Sequence, residues 1–222
     1  MRVYLFRNDV KGKSRPNPSI AMFTTKQLTT PAELARFSAD YKLASLGVTV
    51  SADYLQRVRQ VTVVVLTARP DVYLGGYVIN DVPPHRYFIA PGEAAKDRSL
   101  ASLHLCENDL VEIGAIWFKK YRSPFREIHR LVFFAAMLRD ALKTGRPFIL
   151  GGSFVQKIQQ AQRNVLPMLI YEDRVTVGEV TATLQLYVGS RRGIWLRFAR
   201  TLVKDVTDRL LKQRTPTTVT HF

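Results

Sequence analysis

The chain contains a single cysteine, Cys106, so no internal disulfide can form, and this usage suits a reducing cytoplasm. No run of about 18 apolar residues occurs, so no transmembrane helix is expected. The opening MRVYLFRNDVKGKSRP carries charges inside its short apolar part and lacks a signal-peptide core. Histidine is scarce as well: His85, His104, His129 and His221 show no metal-ligand spacing, and no metal is expected. His129 reads as packed or solvated, and Cys106, beside the acidic Glu107, as a buried structural thiol. Neither a glycine-rich phosphate loop nor a dinucleotide fingerprint is present. Gly151, Gly152, Ser153 and Phe154 lack the second flanking glycine of a nucleophile elbow. Acidic residues are few: 18 Asp and Glu face 33 Lys and Arg, a formal charge of +15. Such a surplus points to an anionic partner, whether nucleic acid, an acidic membrane surface, a phosphorylated cofactor or an acidic carrier protein.

What the chain does have is an apolar content of 46%, enough for one sizeable core in a single α/β or α+β domain over residues 1–222. Its centre is the stretch from Asp109 to Tyr171. Val111, Ile113, Ala115 and Trp117 alternate as in a strand, which Ser123 and Pro124 end. Ile128, Leu131, Val132, Ala135, Leu138 and Leu142 then recur at helical spacing, and Phe133, Phe134 and Met137 widen the buried face until Gly145 and Pro147 stop the helix. A short strand Phe148–Leu150, a helix Val155–Leu166 and a strand Met168–Tyr171 complete a strand-helix-strand-helix-strand order.

Upstream, Val3–Phe6 reads as a first strand and Asp9–Ser19 as a basic loop. Thr30 and Pro31 open a helix with Leu34, Phe37 and Tyr41 on one face, and Ser51 caps a shorter one, so two helices precede the main sheet. Val61–Thr67 and Val72–Ile79 form a hairpin, with Gly75-Gly76 marking a bulge or a close backbone approach. The excursion Asp81–Asp97 holds one short strand at Tyr87–Ala90, and Ser99–Cys106 alternates weakly as another. Downstream, Val175–Leu186 carries further strand signal. A basic amphipathic helix over about 193–214 packs its stripe of Trp195, Phe198, Leu202, Val206 and Leu210 either on its own domain or on an acidic membrane, before a tail, 215–222, without structure.

Laid out in this order, residues Val3 to about Val188 resemble the GNAT superfamily of N-acyltransferases. The resemblance implies a mixed, mostly antiparallel central sheet flanked by helices, here with an added C-terminal helix. In that family the central strand runs into a loop of pattern Arg or Gln, x, x, Gly, x, Gly or Ala, which holds the pyrophosphate of acyl-CoA. Here Arg122 stands on the basic position, whereas Phe125 and Glu127 replace small residues and Pro124 removes a donor. Lys119, Lys120, Arg122, Arg126 and Arg130 cluster at this mouth and would suit either CoA phosphates or an acidic acyl carrier protein.

The activity so implied is transfer of an acyl group from acyl-CoA or an acyl-phosphopantetheine carrier to an amine. Such chemistry needs a base, an oxyanion donor and an acid for the leaving thiol. Glu112, a carboxylate in an otherwise apolar strand, is the candidate base, though a salt bridge would equally explain it. The backbone N–H of Trp117 or Phe118 is the candidate oxyanion donor. The resemblance implies a tyrosine acid on the second helix of this core, but Val155–Leu166 has no tyrosine, and Tyr171 or Tyr121 substitutes for it only where the geometry allows. Gly151, Gly152 and Ser153 either make room for the pantetheine arm or form a tight turn, and Asn164 either binds substrate or ends its helix. The competing reading is a basic scaffold of the same fold that binds nucleic acid or acidic lipid without catalysis.

Overall fold

The structure, a computed structural model, describes residues 23–45, 47–119, 126–177 and 180–201. Thr30 starts the first helix: its hydroxyl accepts from the Glu33 N–H at 3.3 Å while the Glu33 carboxylate accepts from the Thr30 N–H at 3.2 Å. Pro31 needs no partner at the first helical position. This helix, α1 (Pro31–Ala44), buries Leu34, Phe37 and Tyr41, and Ser51 caps α2 (Ala52–Arg57).

Ahead of both helices lies β1 (Phe23–Leu28), a strand the sequence pattern did not announce because its middle, Thr24 to Gln27, is polar. Only pairing with β2 gives it a place, and it corrects the expectation that the helices come before the sheet. β2 (Gln60–Leu66) and β3 (Arg69–Asn80) form the expected hairpin. Gly76 marks a close approach: a Cβ there would stand 2.6 Å from Phe37 and 2.8 Å from the Trp117 indole nitrogen.

The segment after β3 departs from expectation. Tyr87–Ala90 is not a strand, since Arg86–Phe88 form a 3-10 turn, and Ser99 belongs to a helix, α3 (Glu93–Ala101). The run EAAKDRSLA is made largely of helix-favouring residues, and both flanks of β4 are already taken by β3 and β5. Cys106 is exposed rather than buried, because it opens the 3-10 turn Glu107–Asp109 at the surface.

The remaining elements are β4 (Leu110–Phe118), α4 (Arg126–Leu142), β5 (Phe148–Ser153), α5 (Gln156–Val165), β6 (Met168–Val177), β7 (Val180–Ser190) and α6 (residues 191–201). The strands make one seven-stranded sheet in the order β1-β2-β3-β4-β5-β7-β6. Every neighbouring pair is antiparallel except β4 and β5, which the α4 crossover makes parallel. Val132, Phe133, Met137 and Leu138 of α4 cover one face, and Phe37, Tyr41, Tyr54 and Leu55 of α1 and α2 cover part of the other.

The described part of α6 packs on its own domain: Ile194 and Phe198 are 1% and 8% exposed and join the α4 core, while Trp195 stays 43% exposed. Val3–Phe6, the loop Asp9–Ser19, the rest of the C-terminal helix and the tail lie outside the described residues.

Two glycine substitutions should have opposite effects. Gly76→Ala must displace Phe37 or Trp117 and is expected to lower the unfolding free energy by about 1–3 kcal/mol in urea denaturation. Gly193→Ala, where the nearest atom outside its neighbours is 3.4 Å away in a helix, is expected to raise it by roughly 0.5–1 kcal/mol.

Candidate active site

β4 and β5 share only three residue pairs: Leu110 with Phe148, Val111 with Ile149 and Glu112 with Leu150. Beyond them β4 continues to Phe118 and β5 to Ser153 without pairing to each other. Two features hold the strands apart. Ala115 adopts a left-handed φ of +46°, and the register against β3 jumps between Gly76–Trp117 and Val78–Gly114, so β4 carries a bulge that bends it. At the closed end of the fork the Tyr87 hydroxyl donates to the Ile113 carbonyl at 3.2 Å, where the parallel ladder would have continued. The ring of Tyr87 lies against Gly152, whose added Cβ would stand 3.0 Å from it.

Glu112 sits at this point, with no exposed surface. Its Oε2 accepts from the Arg86 N–H at 2.6 Å, and its Oε1 accepts from the Tyr54 hydroxyl at 3.3 Å. The carboxylate folds over Gly114, where a Cβ would come within 2.8 Å of Oε1, so the glycine makes room for the acid. Burial pushes the Glu112 carboxyl up to about 7, against the nearby Arg86 charge and these hydrogen bonds, which favour the ionised form. The competing account of Glu112, a salt bridge to arginine, is not what is found: among the described residues no ion pair includes it, and the Arg86 contact is through the backbone.

Along the fork, Trp117 is buried against Phe37 and Phe118 packs among His129, Phe133 and Phe134. Their side chains therefore serve the two cores and only their backbones are available to a ligand. The Lys119 N–H donates to Leu74 O at 2.9 Å, so alternation along the strand turns the Phe118 amide, not that of Trp117, toward the open side. Lys119 itself pairs with Asp40 at 3.1 Å and lies over the Trp117 ring, tying the end of β4 to α1. Lys120, Tyr121, Arg122 and Phe125 lie outside the described residues, as does the side chain of Arg126 at the start of α4.

On the β5 side, the faces of the glycines are filled by protein. A Cβ on Gly151 would stand 2.7 Å from Leu166 and 3.1 Å from Gln162. The Ser153 hydroxyl accepts from the Val155 N–H at 3.0 Å and shapes the turn into α5. Asn164 is exposed on α5. Two residues earlier, Gln162 donates to Gly152 O at 3.3 Å and leaves its buried Oε1 without a partner among the described residues. Tyr171 lies on β6, separated from β4 by β5 and β7, and packs in the cluster with Phe88 and Leu150. The structure thus gathers Glu112, Phe118, Gly151 and Gly152 around the fork and leaves Tyr171 at the sheet edge.

Three side chains at the site were not singled out from sequence: Tyr54, Arg86 and Tyr87. The aromatic and cationic residues after Pro84 were a usable signal, but nothing in their spacing points to β4. His129 is buried, stacked at 5.0 Å on Phe23, and burial lowers its pKa, which keeps the ring neutral. His85 is also buried, its Nδ1 3.1 Å from Glu107. Among the described residues no cluster suits a metal ion.

The chain matches no protein-family model, and no curated protein matches it. Its fold does have solved counterparts. FeeM, an N-acyl amino acid synthase from uncultured soil microbes, superposes with a TM-score of 0.56 at 13% identity, covering 77% of this chain and 91% of FeeM. A putative acetyltransferase from Acinetobacter baylyi does so with a TM-score of 0.50 at 10% identity, covering 78% and 94%. The likeness to these two structures is one of fold.

The raised Glu112 pKa has a consequence for stability. A carboxyl whose folded pKa exceeds its unfolded value binds its proton more tightly when folded, so its contribution is full below pH 4.5 and is lost as pH rises through 7. The unfolding free energy of the wild type relative to Glu112→Gln is therefore expected to fall by about 3 kcal/mol between pH 4.5 and pH 8. Denaturant titrations of both proteins at several pH values check this, and a difference constant with pH would contradict it.

Proposed function

We propose that this protein is an N-acyltransferase that moves an acyl group from a thioester, carried by CoA or by an acyl carrier protein, to an amine. The observation that carries the reading is the fork itself: two parallel strands stop pairing at Glu112, leaving backbone groups for an extended arm beside a buried carboxyl titrating near neutral pH. A pantetheine arm is extended and carries amides, so it can take up strand-like hydrogen bonds in such a gap. The Gln162 Oε1 in the α5 wall is a further acceptor for one of its N–H groups.

In this reading the amine nitrogen attacks the thioester carbonyl, the C–N bond forms and the C–S bond breaks. The Phe118 N–H steadies the oxygen as negative charge develops on it. Glu112 stands six residues back along β4 from Phe118, so it takes the amine proton through intervening water, and the proton passes through solvent to the departing thiolate. A thiolate is a good leaving group near neutral pH, so a dedicated acid on the sulfur is not essential. The Tyr87 hydroxyl closes the inner end of the gap and holds the two strands at their spacing. Lys119 contributes less to gripping an anion than its position in the sequence suggested, because Asp40 already pairs with it.

The test is transfer from acyl-CoA and acyl-carrier thioesters of several chain lengths to a panel of amines, followed by thiol release and mass spectrometry of the amide. Turnover should rise with an apparent pKa near 7. Glu112→Gln should lose roughly 10²-fold or more in kcat while still binding donor. No binding of either donor by calorimetry, combined with nucleic-acid binding that weakens steeply with salt, would replace this reading by that of a basic binding protein.

A further inference from the structure

Arg86 lies close enough to Glu112 for its charge to act on the carboxyl, but among the described residues its guanidinium forms no direct ion pair. Its backbone N–H is bonded to Glu112 at 2.6 Å, while its Nη2 donates to the carbonyl of Thr49, an exposed residue, at 3.1 Å. One side chain thus spans the distance from a fully buried carboxyl to the protein surface. The guanidinium also lies over the Tyr41 ring, 5.6 Å from its centroid. Among the described residues no Asp or Glu comes within ion-pair distance of it, whereas Arg59 and Lys119 are paired with Asp81 and Asp40. Of the five donors in the guanidinium fork, the Thr49 carbonyl takes one and the Tyr41 hydroxyl another.

A half-buried guanidinium with an incomplete set of acceptors is a ready partner for a carboxylate, which it holds through two parallel hydrogen bonds. An acceptor approaching Glu112 from the Thr49 side meets this group first. A plain amine or a cationic chain leaves the guanidinium unpaired or repels it. A molecule with a carboxylate next to its amine places the anion on Arg86 and the nitrogen further in, toward Glu112.

We infer that the acceptor is a free amino acid, its carboxylate bound by Arg86 and its amine directed to Glu112. This rests on the transferase reading above and names the substrate class of that same site. The surrounding groups fit the assignment: the guanidinium lies over the Tyr41 ring, the Tyr54 hydroxyl donates to Glu112, and the Thr49 carbonyl fixes the orientation of the fork.

The experiment compares wild-type acylation of free amino acids with that of the corresponding amino-acid amides and decarboxylated amines, each with the same thioester donor. Free amino acids should be preferred in kcat/KM by roughly 10- to 100-fold, the worth of a charge-assisted contact. Arg86→Gln should raise KM for amino acids by a similar factor and leave the amides unaffected, with partial recovery in Arg86→Lys. A structural role for Arg86 would lower both classes equally. Equal rates for amino acids and amides with the wild-type protein would overturn this inference while leaving the transferase reading intact. No acylation of any amine would overturn both.

Discussion

Past Glu112, β4 has a hydrogen-bonding neighbour on one side only, and the organisation of the site follows from that interruption. Backbone N–H and C=O groups left bare in a protein interior are costly, so a sheet does not open at its centre unless something else meets the exposed groups. Here a side chain does so at the closed end, where Tyr87 binds the Ile113 carbonyl, and the left-handed Ala115 bends the strand beyond it. A non-glycine residue in that conformation is disfavoured by about 1 kcal/mol or more, a strain that occurs where β4 turns from its parallel neighbour. Farther out, β4 and β5 run on without pairing to each other.

The same interruption explains why a carboxyl can stand in the middle of the sheet. Two buried acids illustrate the difference. Asp140 on α4 is 3% exposed, accepts from Tyr77 at 2.7 Å and Gln60 at 2.8 Å, and has the Arg139 guanidinium at 2.8 Å. These contacts tie α4 to β2 and β3. Glu112 receives neutral donors, and the nearby Arg86 guanidinium makes no direct ion pair with it. Burial therefore prevails, and the group is left close to half ionised near neutrality. An acid so placed is suited to gaining and losing a proton rather than to holding a charge.

Much of the scaffold was legible in the chain. The start at Thr30 and Pro31, the helical spacing from Ile128 to Leu142 and the alternation from Val111 to Trp117 are local signals, and each produced the element expected of it. Glu112 stood out as a carboxylate among apolar neighbours. β1 was not legible, because Thr24 to Gln27 are polar and only the edge of β2 makes them a strand. The run from Ser99 misled for the opposite reason: a faint alternation lost to the helix preference of Glu93 to Ala101, with no sheet edge beside it to reward a strand. Asn164 and Tyr171 were selected by residue type, but their orientation depends on packing, and it is Gln162 and Tyr87 that face the fork.

The mostly antiparallel sheet was expected only from the family resemblance, while periodicity by itself determined the strand-helix-strand order of β4, α4 and β5 and the position of the acid on β4. These follow from interactions between residues a few positions apart. The tertiary structure alone decided that the two strands separate after three pairs, that Arg86 and Tyr87 return to β4 from 26 residues upstream, and that the carboxyl titrates near 7. Those properties depend on which groups remain without a partner once the chain has packed, and such a deficit can be read only when every neighbour is in place.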